Sequence, residues 1–259
     1  AIGEVFASPP ALAFYDAIVD ADQGEGVAVL FGNYAGDNMN VKMAVQMAED
    51  DDIEVKYVVA NDDVASAPKA VKEQRHGIAG GFFMWKVGGA RAAKGGSLDD
   101  VIASAQNVVN RTKSICVGLE PCVIPALGHS NFKIEDGTME FGVGHHGEAG
   151  TKVEKLKSAS EMAQEMAETI LNDFDFEEGK EVAVMLSGLG ATPVMELYVL
   201  YDEVEKVLAK AGHKVWKTYI GNYVTSLDMN GASLTIVDLD DEIKELLSEP
   251  AVPIGMKNY

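Results

Sequence analysis

The chain has 259 residues, 47% of them hydrophobic and 24% charged, a globular composition with enough apolar side chains for a sizeable core. Its 41 acidic residues against 21 basic ones give a formal charge of −20, which repels phosphate backbones and argues against direct contact with nucleic acid. No apolar run reaches the roughly eighteen residues of a membrane span, and the opening Ala1-Ile2-Gly3-Glu4-Val5-Phe6 has neither the basic nor the apolar region of a secretory signal, so a cytoplasmic protein is expected.

In chain order, Val27 to Phe31 reads as a buried strand that ends at Gly32-Asn33-Tyr34-Ala35-Gly36-Asp37. Met39 to Glu49 has helical spacing, Ile53 to Ala60 is a second strand, and Asn61-Asp62-Asp63 is an acidic turn. A bend at Gly77 to Gly81 leads into a helix from Phe82 to Ala93, and Ser97 with Asp100 makes a capping box for the next one. Cys116 and Cys122 lie in apolar context and are read as buried thiols of a reducing compartment. After the irregular stretch 122–132, Met139 to Val143 is a short strand feeding a Gly/His-rich turn. A charged stretch, Lys152 to Lys157, precedes a helix through about Leu171. Val182 to Leu186 is a strand whose loop opens a helix to Ala211, and Val215 to Ile220 and Ser233 to Leu239 close the series. This rhythm predicts an α/β fold: a mainly parallel sheet with flanking helices, followed by a second, smaller α/β sub-domain. The expected units are residues 1–118 and 119–259, the second carrying the histidine pair, with a soft boundary between 118 and 150.

Three glycine-containing turns follow predicted strands, where ligands gather in open α/β sheets. The first ends in Asp37, either a cap for the following helix or a carboxylate aimed into a crevice. The second, Gly142-Val143-Gly144-His145-His146-Gly147-Glu148-Ala149-Gly150, combines backbone freedom with two histidines and a glutamate. A reactive neutral imidazole, a metal ligand and a structural histidine are all open there. The third, Gly188-Leu189-Gly190-Ala191-Thr192-Pro193, has amides that can cradle a phosphate, but it lacks the P-loop and dinucleotide patterns, and tight strand-to-helix packing explains it better.

At these residues the sequence resembles the dihydroxyacetone kinase K-subunit family over nearly its whole length. Phe6-Ala7-Ser8-Pro9 is similar to that family's F-x-S-P turn, and Asn33-Tyr34-Ala35-Gly36-Asp37 to its N-Y-T/A-G-D turn. Asn61-Asp62-Asp63-Val64 and Arg75-His76-Gly77-Ile78-Ala79 resemble two further segments. Met139 to Gly150 resembles the M-E-F/L-G-L/V-G-I-H-G-E-P-G signature, and Leu189 to Pro193 and Thr225 to Met229 complete the match.

The resemblance implies that His146 attacks the carbonyl carbon of dihydroxyacetone to give a hemiaminal, with Asp37 taking a hydroxyl proton for phosphoryl transfer. It implies substrate contacts from Ser8, Gly32, Asp37 and His146, no metal ligands and no cofactor on this chain. The nucleotide and Mg²⁺ belong to a separate L-subunit, often recharged by a phosphotransferase system fed from phosphoenolpyruvate. It also implies a homodimer. Three departures stand out. The family's G-G-G-S-G-H-E-P loop, with its acid/base histidine, is not within these 259 residues. Gly32 stands where the kinases have a lysine, and His145 and Ala149 replace the usual Ile and Pro. The first two favour an alternative, a non-catalytic dihydroxyacetone sensor that activates a transcriptional regulator. His145 is expected to point away from His146, as successive side chains do in extended backbone.

Overall fold

The computed structural model describes residues 1–130, 132–175 and 179–253. It opens with α1 (Ala11–Ala21), β1 (Val27–Gly32), α2 (Ala35–Asp50) and β2 (Val55–Ala60). Helices α3 (Gly81–Ala93) and α4 (Leu98–Asn110) lead to β3 (Thr112–Glu120), and then come β4 (Thr138–Phe141), β5 (Lys152–Lys155) and α5 (Ala159–Asp173). The last part is β6 (Glu181–Gly188), α6 (Val194–Lys210), β7 (Lys214–Gly221), β8 (Asn230–Asp238) and α7 (Asp241–Ser248). The capping box read at Ser97 and Asp100 is formed, and Ser158 with Glu161 makes a second one at the start of α5. Among the described residues no helix is long and apolar enough to cross a membrane.

The α/β class with flanking helices is the one the sequence implies, but the strand pairing is more mixed than its rhythm suggests. Among the described residues there are two sheets, β1-β2 and the six-stranded β5-β4-β3-β8-β6-β7. Only β1–β2 and β6–β7 pair in parallel. The hairpin β4–β5 is antiparallel, and β8 returns between β3 and β6, antiparallel to both. The later residues therefore carry the larger sheet. β3 crosses the expected boundary at 118/119 and is hydrogen-bonded to β4 and β8 beyond it, so one sheet spans both segments.

The elements stack in five layers. Helices α1 and α2 cover one face of β1-β2, through Phe14, Ile18, Val41 and Ala44. Helices α3, α4 and α7 are sandwiched between that sheet and the large one, where Val58 and Phe83 join the same cluster as Met185 and Val237. On the outer face, α5 and α6 pack on Val182, Val184 and Leu186. Along β6, odd and even residues serve opposite cores, Ala183 and Met185 inward and Val184 outward. This two-residue period, with both faces covered, makes the strand an unbroken apolar run.

Candidate functional site

Strand β1 ends at Gly32, and the next residues turn into α2 because Asn33 is bonded on every side. Its amide nitrogen donates to the Ala60 carbonyl at 2.9 Å, and its side-chain amide to the carbonyls of Glu73 (3.0 Å) and Arg75 (2.7 Å). Arg75 is in turn buried and held by Asp173 at the end of α5 through two 2.7 Å hydrogen bonds. A planar guanidinium bound this way is rigid, and removing either partner strands a buried charge. The turn fixed by this chain of bonds carries Asp37 in the first turn of α2. The Ser8 hydroxyl donates to Asp37 Oδ2 at 2.8 Å. Gly36 permits that approach, since a Cβ there would lie 2.5 Å from Ser8 Oγ.

The second turn leaves β4 at Gly142, whose amide donates to the Cys116 carbonyl at 2.7 Å, and Glu140 Oε1 accepts from the Gly150 amide at 2.6 Å. Between these anchors the backbone is a turn with φ near +77° at Gly142 and +79° at Gly147, angles that favour glycine. Glu148 folds back over Gly144, where a Cβ would fall 2.2 Å from its carboxylate oxygen. It accepts from the His146 amide at 2.8 Å and meets His146 Nδ1 at 3.0 Å. Burial alone would push the Glu148 carboxyl up; the hydrogen bonds from His146 outweigh it and hold it at about 2. An ionised carboxylate at Nδ1 selects the tautomer with the proton on Nδ1, which places the ring lone pair on Nε2. The ring is set edge-on to Phe6 (4.9 Å between centroids) and Tyr34 (4.8 Å), and Tyr34 stacks on His76. Burial raises the Tyr34 phenol. Phe6 has φ of 55°, a left-handed backbone that a non-glycine residue adopts only under outside constraint.

These turns meet at a cavity of about 490 Å³, and Ser8, Gly32, Asp37 and His146 all line it. The four substrate residues named from the sequence are thus brought together. His145 differs from its expectation: it lines the same cavity, because the backbone here is a turn and not extended strand, so alternation does not apply. The third glycine turn contributes nothing to the lining. The amides of Leu189 and Ala191 donate to the carbonyls of Gly231 and Met229, so they cradle no phosphate, and a Cβ on Gly190 would fall 1.9 Å from the Leu227 carbonyl. Close packing is the reason for its glycines, with Pro193 as the N-cap of α6. Among the described residues no group of three or more histidine, cysteine or acidic side chains is placed to hold a metal. Sequence reasoning assigned no role to Glu148, although its position two residues after His146 was visible. The aromatic walls, Phe6, Tyr34 and Trp85, come from three separate segments. Phe6 and Tyr34 lie in the two turns that resemble family motifs, but nothing in those motifs marked them as cavity walls, and Trp85 lies in neither.

An imidazole oriented by a carboxylate, and a second carboxylate held by a hydroxyl, line one cavity of an α/β protein, a site of the size and chemistry to take a small molecule. The chain belongs to the Dak1 domain family, whose profile matches residues 1–254. It is 41% identical over 240 residues to a protein of Listeria innocua named PTS-dependent dihydroxyacetone kinase 1, dihydroxyacetone-binding subunit DhaK, covering 93% of this chain and 73% of that one. Among solved structures it resembles the dihydroxyacetone kinase operon co-activator Dha-DhaQ (TM-score 0.89, 29% identity, covering 95% of this chain and 76% of that one). The dihydroxyacetone kinase of C. freundii is also similar, with a TM-score of 0.88 and 29% identity, covering 95% of this chain and 44% of that one.

Proposed function

We propose that this chain is the dihydroxyacetone-binding subunit of a phosphotransferase-system-dependent dihydroxyacetone kinase, and that it holds the ketone as a hemiaminal on His146. The observation that carries this reading is the His146–Glu148 pair beside the Ser8–Asp37 pair in one cavity, in a chain similar to a dihydroxyacetone-binding subunit. In the reaction Nε2 of His146 bonds to the carbonyl carbon, and the π pair moves onto oxygen. The positive ring is offset by ionised Glu148 until Nδ1 releases its proton. Net, one C–N bond forms, the C=O π bond breaks, and one proton passes from the imidazole to the carbinol oxygen. A polyol has no electrophilic carbon and is excluded. Asp37, positioned by Ser8, then accepts the proton of the hydroxyl that attacks phosphorus. Nucleotide and Mg²⁺ on a separate L-subunit supply the phosphoryl group. A homodimer in the cytoplasm belongs to the same reading.

A second reading, a ketone sensor acting on a transcriptional regulator, is favoured by Gly32, which lines the cavity where a kinase of this family has a cation. The likeness to the co-activator supports it too. One experiment tests both. Dihydroxyacetone labelled with carbon-13 at its carbonyl should lose the free-ketone resonance on titration with the protein, and a charged L-subunit should then yield its phosphate. A ketone resonance unchanged at saturating protein overturns both readings, whereas an adduct without phosphate formation selects the sensor.

A further inference from the structure

We propose that His145 is a second ligand-contacting residue of this site, its Nε2 hydrogen-bonding the hydroxyl on the arm of the ketone opposite the one that Asp37 engages. This rests on the reading that the ketone is carried on His146. His145 is among the residues that line the same cavity, is only 8% exposed, and its Nε2 is buried without a hydrogen-bond partner among the described residues. Buried ring nitrogens in folded proteins are ordinarily satisfied by protein, water or ligand. Its backbone is held: the buried Ser226 hydroxyl donates to the His145 carbonyl.

The ligand chemistry makes the assignment specific. Dihydroxyacetone has a central electrophilic carbon and two equivalent hydroxymethyl arms. With the carbon on His146 and one arm at the Ser8–Asp37 pair, the other arm needs a polar partner within reach of the same three-carbon molecule. His145 is the chain neighbour of the nucleophile and supplies one. Burial first, and then the neighbouring His146, lower its pKa to about 4, so at neutral pH the ring is uncharged, with one N–H and one lone pair. It can donate to or accept from a hydroxyl without presenting a charge to the nucleophile.

The test compares dihydroxyacetone with hydroxyacetone, which keeps the carbonyl but lacks one hydroxyl, by carbon-13 titration at pH 7.5. The wild-type protein should form the dihydroxyacetone adduct about five- to tenfold more tightly, the effect of one neutral hydrogen bond. In His145→Phe and His145→Leu the two ketones should approach parity, with hydroxyacetone affinity little changed. A preference that survives in either variant overturns the proposal. A measurement on the wild type is independent of variant folding: in histidine nitrogen-15 spectra the His145 Nε2 resonance should shift with dihydroxyacetone and much less with hydroxyacetone, and an equal response to both overturns it. Absence of any adduct with either ketone instead overturns the covalent reading itself.

Discussion

The two glycine-rich turns at residues 142–150 and 188–193 look alike as sequence and do opposite things. Each follows a strand, each has glycine at positive φ, and each has a glycine whose Cβ would overlap a neighbour. At Gly144 the neighbour is the Glu148 carboxylate, and the space serves a half-exposed acid paired with a half-exposed imidazole. At Gly190 the neighbour is the Leu227 backbone, and the amides around it are consumed by Gly231 and Met229. Glycine density therefore marks close approach, and what approaches decides the reading: a titratable side chain open to a cavity makes a candidate site, and backbone makes scaffold.

The comparison breaks most sharply if the wrong turn controls the adduct. His146→Ala should abolish the carbon-13 adduct and leave the urea unfolding midpoint nearly unchanged. Gly190→Ala should do the reverse, costing about 3 kcal/mol or more because a positive φ and a backbone overlap act together. An adduct lost in Gly190→Ala at full folding, or kept in His146→Ala, contradicts the division.

A pH series sharpens it, because the first turn buries a titratable ring and the second does not. The folded pKa of His145 is about 4, below its ordinary 6.5, so as pH falls the unfolded chain takes up the proton first. Stability is unaffected above about 6.5, declines by about 1.4 kcal/mol per unit between 6.5 and 4, and levels off below. His145→Phe lacks this term, so urea unfolding from pH 7 to 4 should shift the stability difference in the variant's favour by up to about 3 kcal/mol. A difference independent of pH contradicts the burial argument.

Glu148→Gln should weaken the adduct about tenfold, since the amide still accepts from Nδ1 but no longer offsets the ring's charge. The smallest effect concerns Gly32. A Cβ there meets the Gly77 carbonyl at 3.2 Å, and Gly77 is itself confined by Ala60, so crowding subtracts from what a cation adds. Gly32→Lys should tighten ketone binding about fivefold by calorimetry, less than a full charge-assisted hydrogen bond would give. Gly32→Ala, with the crowding and no charge, should give no gain.

Much of this molecule was determined by local sequence. Val27 to Phe31 and Val182 to Leu186 are strands because β-branched and aliphatic runs bounded by turn residues leave few other options. The Ser97 cap was legible because a capping box is a contact between residues three apart. His146 and Asp37 were legible as candidates because each sits in a short turn resembling a family motif. Elements without local contrast were missed. β3 places Lys113 and Ser114 in the interior, Ser114 satisfied by the Thr235 hydroxyl across the sheet, so its alternation is blurred. β5 reads as a charged stretch because it is an exposed edge strand that exists through its pairing with β4. Only the tertiary structure decided that β8 returns between β3 and β6, which no local propensity encodes. It also decided that Ser8, Tyr34, Trp85, His145 and His146 line one cavity. Those outcomes depend on contacts between residues tens of positions apart, whose energies arise on packing and leave no period in the sequence.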